Sequence, residues 1–137
     1  MEKADILAME AGEELDRLVA TEVMGEPIPA PAPDDSLRLQ LAGSPPESPR
    51  GNWVCLCRYS EGDIPIWHPL PFSTNISAAW LVVEKVIAEY GDFIIDYDNS
   101  YEGGPWSASV DKLRVAALAK TAPEAICKTA LLAKHSK

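Results

Sequence analysis

Ile76, Ala79, Trp80, Val83, Val86, Ile87 and Tyr90 recur at helical spacing over four turns, and Gly91 follows directly. Their spacing predicts a long helix with a broad apolar stripe, because residues three and four apart share one helix face. A stripe that wide has to be covered, so the chain must fold into layers. Ser73 or Thr74 can cap the helix, since a short hydroxyl side chain accepts a bond from a first-turn N–H. Upstream, the prolines of His68-Pro69-Leu70-Pro71-Phe72 keep the approach extended and stiff.

The covering layer is read from period-two segments. Trp53, Cys55, Cys57 and Tyr59 alternate with Val54, Leu56 and Arg58, the pattern of a strand with two faces. Ser60-Glu61-Gly62-Asp63 reads as a turn. Ile64-Pro65-Ile66-Trp67 reads as a returning edge strand, because proline cannot donate to a central ladder. Residues 93–98 and 106–110 form two more strands, joined through Asn99-Ser100-Tyr101-Glu102-Gly103-Gly104.

Two further helices flank these strands. Leu15, Leu18, Val19 and Val23 mark an apolar face, opposed by Glu13, Glu14, Asp16, Arg17 and Glu22, with Gly25 as the left-handed stop. Near the end, Thr121-Ala122-Pro123-Glu124 opens a helix with a capping box, and Ala125, Ile126, Ala130 and Ala133 give it a small-residue side. Helix, strands, helix, hairpin, helix is the order of an α+β fold, an antiparallel sheet sandwiched by helices. Its 137 residues fit one domain, 1–137. Within it, residues 26–50 hold seven of the twelve prolines and read as a Pro-rich flexible insert. Leu37, Leu39 and Leu41 alternate inside that insert as a short strand.

Composition narrows the function. With 12 Lys+Arg against 21 Asp+Glu, the net charge is −9, which disfavours bulk binding to nucleic-acid phosphates or anionic membranes. No apolar run reaches the roughly 18–20 residues that span a bilayer. The acidic start Met1-Glu2-Lys3-Ala4-Asp5 has neither the basic nor the apolar part of a signal peptide. Three cysteines, Cys55, Cys57 and Cys127, are too few for a disulfide framework, so a reducing cytoplasm is expected.

Three blocks together carry a resemblance. Ile6-Leu7-Ala8-Met9-Glu10-Ala11-Gly12-Glu13-Glu14-Leu15-Asp16-Arg17-Leu18-Val19-Ala20 through Val23-Met24-Gly25 is similar to the start of the phage ABA-sandwich domain family. Phe72-Ser73-Thr74-Asn75-Ile76-Ser77-Ala78-Ala79-Trp80 and Thr121-Ala122-Pro123-Glu124-Ala125-Ile126-Cys127-Lys128-Thr129-Ala130-Leu131-Leu132 resemble its middle and end. Phe72 and Asn75 depart from the Tyr and Asp usual there, and the Pro-rich insert lies outside the resemblance. The resemblance implies a small protein of phages or prophages of bacteria, with helices on the faces of an antiparallel sheet. It carries no catalytic residues onto this chain.

Chemistry-bearing residues are sparse. Cys55 and Cys57 with His68 could supply three zinc ligands, but one intervening residue is short for a structural pair, and buried thiols are the plainer reading. Cys127 reads as core. Asp96 and Asp98, with Ser107, Ser109 and Asp111 across from them, could do acid–base work or hold a cation. A solvated sheet face explains them as well. Gly103-Gly104-Pro105 is a turn rather than a phosphate loop, and Asn75-Ile76-Ser77 is a glycosylation sequon without a secretion signal. No cofactor, metal or catalytic group is implied.

The aromatics are more suggestive. Trp53, Tyr59, Trp67 and Trp106 fall at strand ends or beside turns, where they can stack on a base or anchor a partner, whereas Trp80 reads as helix core. Arg50, Arg58 and Lys112 are the nearest groups for a local anion pocket. The candidate ligand-binding set is Trp53, Arg58, Tyr59, Trp67 and Trp106. It fits a non-enzymatic binding protein that sequesters a host small molecule such as a nucleotide immune signal, as a homo-oligomer. The alternatives are an acidic module that inhibits a host protein, and a hydrolase using Asp96, Asp98 or His68.

Overall fold

The computed structural model describes residues 2–26, 28, 54–61 and 64–136. The Pro-rich insert, its short strand, Arg50, Trp53, Gly62 and Asp63 lie outside the described residues, Glu26 and Ile28 of the insert excepted. In chain order the elements are α1 (Lys3–Ala8), α2 (Glu13–Glu22), β1 (Leu56–Glu61), β2 (Ile64–Pro69), α3 (Ile76–Tyr90), β3 (Ile94–Tyr97), β4 (Trp106–Val110), a 3-10 turn (Asp111–Leu113), β5 (Val115–Ala119) and α4 (Ala122–Lys134). Two antiparallel sheets form, β1-β2 and β3-β4-β5. The α+β class is what folds.

Helix α4 is the centre. Ala125, Ile126, Cys127, Lys128, Thr129, Ala130, Leu131, Leu132 and Ala133 are all buried, so no side of this helix faces water. Its alanines allow close approach from the sheet on one side and from α1, α2 and α3 on the others. Its buried polar groups are satisfied, as burial requires. The Thr129 hydroxyl donates to the Ala108 carbonyl at 2.7 Å, pinning α4 to β4. The Lys128 ammonium donates to the Leu7 carbonyl at 3.1 Å and to Glu124 at 2.8 Å. At the start of the helix, Thr121 accepts from the Glu124 N–H as expected. The Glu124 carboxylate takes Lys128 rather than returning to the cap.

The inward face of the sheet is Ile95 and Tyr97, Trp106, Ala108 and Val110, then Val115, Ala117 and Ala119, as the register requires. Strand β5 has no strand signature in its sequence: three of its five residues are alanine, a helix former. Tertiary pairing decides it. Arg114 takes the left-handed φ of 55° and turns the chain back beside β4, where the small side chains fit under α4. Gly104 is needed at the hairpin's far end, since a Cβ there would run into the backbone of Ala119.

Two expected caps move. Asn75, not Ser73 or Thr74, caps α3, its side chain accepting from the Ala78 N–H at 3.0 Å. Ser73 is committed elsewhere: its hydroxyl accepts from the Gly12 N–H and donates to Asp16. Helix α2 stops at Glu22 with Val23 as its cap, and Gly25 turns left-handed two residues later. Its last turn is closed by the Glu26 N–H on the Ala20 carbonyl at 2.9 Å.

Trp80 corrects the reading of α3. The buried residues of that helix are Ala78, Ala79, Val82, Val83 and Val86, whereas Trp80 is 50% exposed, with Ile76 at 51% and Ile87 at 44%. A helix apolar nearly all round has no unique stripe in its sequence, and the small Ala78, Ala79 and valine side of α3 is the one that fits α4.

Strand β1 also begins later than its pattern suggests. Val54 is exposed while Cys55 and Leu56 are both buried, so the two-residue period breaks there. The cause is Glu26, fully enclosed, whose carboxylate accepts the N–H groups of both Val54 and Cys55. Those two donors are therefore spent on a side chain rather than on a ladder, and the chain bends before β1 starts.

Candidate functional site

The candidate ligand residues divide between the two sheets. On the β1-β2 ribbon Arg58 pairs directly with Trp67 and Tyr59 with Ile66, so a cation and an indole occupy opposed register positions. Trp106 belongs to the other sheet, at the hairpin end of β4 opposite Tyr97. Trp53 lies outside the described residues.

Around Trp106 the geometry is definite. Its ring meets Tyr97 edge to face, with centroids 5.1 Å apart and planes at 69°, the arrangement that places a positive ring edge on a π face. Tyr97 is 57% exposed. On the opposite face of the same strand end, the Tyr101 hydroxyl donates to Asp96 at 2.9 Å, and that bond to a carboxylate pushes the phenol pKa up. Asp98 accepts from the Ser100 N–H at 2.9 Å and its hydroxyl at 2.7 Å, which holds Asp98 below the usual carboxylate range. Asp96 and Asp98 thus shape the hairpin loop, each with its own partner, rather than facing one another.

Across from them the register is as expected for Ser107, which pairs with Asp96, and Ser109 pairs with Ile94. Asp111 lies at the opposite end of the sheet, with the Ser109 hydroxyl 3.4 Å from it. Tyr97 and Tyr101 were absent from the candidate set. Tyr97 was legible, because a hairpin through residues 98–105 must set it opposite Trp106. Tyr101 was not, because its bond to Asp96 depends on the loop's path.

Cys57 and His68 are cross-strand partners, but Cys55 is buried before the strand begins. His68 Nδ1 lies 2.9 Å from the Pro69 carbonyl. Among the described residues, no group of three or more His, Cys, Asp or Glu side chains is placed to hold a metal ion. Cys127 is enclosed in α4, and burial, with Asp16 and Glu124 nearby, pushes its thiol pKa well up, so it stays protonated and inert.

One buried polar cluster was not foreseen. Asp16 of α2 accepts from the Ser73 N–H at 2.7 Å and the Ser73 hydroxyl at 2.6 Å, across 57 positions of sequence. Burial pushes the Asp16 pKa up, and the two bonds from Ser73 oppose the shift in part. Ser73 is fully enclosed, so the cluster ties α2 to the approach of α3 and offers nothing to solvent.

Comparison with known proteins decides the family. The phage ABA sandwich domain family matches residues 17–131, most of the chain. This chain belongs to it. A solved structure, a phage protein from Bacillus cereus ATCC 14579, is similar over 95% of this chain and 92% of that one, with a TM-score of 0.55 and 23% identity. At that identity the likeness concerns the fold. No curated protein matches the chain. As in other readings of fold, the ABA sandwich does not itself supply an activity. Among the described residues, no helix is long and apolar enough to cross a membrane.

Proposed function

We propose that this phage ABA sandwich protein acts by binding rather than catalysis, sequestering a host small molecule of the nucleotide class and so countering a host defence signal in the bacterial cytoplasm. One observation carries the reading: at the hairpin end of the sheet Trp106 packs on the core with its ring against Tyr97, which is 57% exposed. An exposed aromatic surface at the end of a sheet stacks on a base. Asp96 and Asp98 at this end of the sheet repel phosphate, so it takes the nucleoside part. Phosphate would need cations such as Arg58, whose ladder position is opposite Trp67.

Calorimetric titration with a panel of mono-, di- and cyclic nucleotides tests the proposal. Binding is expected for at least one, and Trp106→Ala should weaken it at least tenfold, the loss of about one stacked base. No binding across the panel, or binding indifferent to Trp106→Ala, would overturn it.

A second reading, an acidic module that inhibits a host protein, is favoured by Glu10, Glu13 and Glu14, which are exposed together at the start of α2. It requires partner capture that falls steeply with added salt.

A further inference from the structure

Helix α3 is apolar on the side that faces away from the protein as well as on the side that faces α4. At 100° per residue, Ile76, Trp80 and Ile87 fall within about 40° of one another. Each is close to half exposed, at 51%, 50% and 44%. Ser77, Glu84, Ala88 and Leu81 fill roughly the next 100°, all exposed, and Glu84 is the one charge among these seven residues. Together they present on the order of a few hundred Å² of apolar surface, the size at which a patch marks an interaction site. In a chain of net charge −9, a stripe with a single charge is set apart from the rest of the surface.

We propose that a second copy of this chain covers the stripe, its α3 packed antiparallel to the first across a two-fold axis. The pattern is self-complementary in that arrangement. Ile76 near the start of α3 meets the second copy's Ile87 near the end, and the two tryptophans flank the axis. A shallow, open depression lined by Ile76, Ser77 and Trp80 lies at the end of the stripe that the second copy's Ile87 would meet.

Charge agrees with the same register. Glu84 lies over the first turns of the opposing α3, where Ser77 can donate to it and the positive end of the helix favours an anion. A parallel pairing would set Glu84 against Glu84, a like-charge contact in an apolar seam. An acidic or a basic foreign partner would find only that one charge to read here. The helix stripe supplies less than the roughly 800 Å² per partner of a standard interface, so the dimer is a weak, reversible one.

Sedimentation equilibrium from about 1 to 200 µM spans the association expected for an interface of this class. The wild type should pass from monomer to dimer over this range. Ile76→Glu and Ile87→Lys should each weaken the dimer at least about 30-fold, by placing an unpaired charge against an apolar side chain. Combining them puts Glu against Lys at both ends of the seam and should recover the Kd to within about fivefold of wild type. Circular dichroism of each variant confirms that it is folded, since both positions face outward. A wild type that stays monomeric throughout overturns the proposal. So does a dimer indifferent to the single variants, or one that the double variant fails to restore.

Discussion

Helices α3 and α4 pack against each other, yet they meet the rest of the molecule in opposite ways. Helix α4 carries Lys128, Thr129 and Cys127 and is buried on every side; α3 is richer in large apolar residues and leaves Ile76, Trp80 and Ile87 half in water. Apolar content alone therefore does not rank these helices by burial. What separates them is size. The alanines of α4 let a sheet approach one flank and three helices the others, and its few polar atoms each find a fixed partner. The outward residues of α3 are larger, and among the described residues they stay about half exposed.

The comparison can be broken most sharply in α4. Ile126→Ala should lower the stability by about 3–4 kcal/mol, read by urea unfolding, because the closed surroundings cannot collapse into the cavity. Next is the tie between α2 and α3. Asp16→Ala strands the Ser73 N–H and hydroxyl in the interior and should cost about 2–3 kcal/mol.

Asp16→Asn sharpens the same point through pH. Folding raises the Asp16 pKa, so the folded state binds this proton more tightly than the unfolded chain does. The stability this contributes is fully present below the ordinary carboxylate value of about 3.9 and is lost as pH rises through the raised folded value. Unfolding measured from pH 4 upward should show the wild type losing stability relative to Asp16→Asn until that value is passed, then running parallel to it. A constant offset at every pH would show that the carboxyl has the same pKa in both states. The smallest of these effects is at the sheet. Thr129→Val removes the bond to the Ala108 carbonyl while keeping the branched shape, and should cost about 1–2 kcal/mol by the same unfolding measurement.

Period and punctuation made much of this fold legible. The run Ile76–Tyr90, its stop at Gly91, the pairing of β3 with β4 and the Thr121 cap all follow from local pattern. Trp80 did not, because a helix apolar on two sides gives the same periodicity whichever side is buried. Strand β5 did not either: Val115, Leu118 and three alanines become a strand only because β4 lies beside them. The clusters around Glu26 and Asp16 join residues 28 and 57 positions apart, a distance at which no spacing rule operates. The candidate site shows the same division. Trp106 and its opposite number Tyr97 follow from hairpin register, Arg58 and Trp67 from the short turn between two strands, but nothing local says how the two sheets lie relative to each other.

The same substitution placed on both helices tests the central contrast most directly. Ile126→Ala and Ile76→Ala remove the same atoms, and their unfolding free energies can be compared in protein kept at about 1 µM, below the range where α3 is covered by a second copy. The account predicts a loss of about 3–4 kcal/mol for Ile126→Ala against less than about 1 kcal/mol for Ile76→Ala. Equal losses at the two positions would contradict it, because they would mean that the outward side of α3 is as much a part of the folded core as α4.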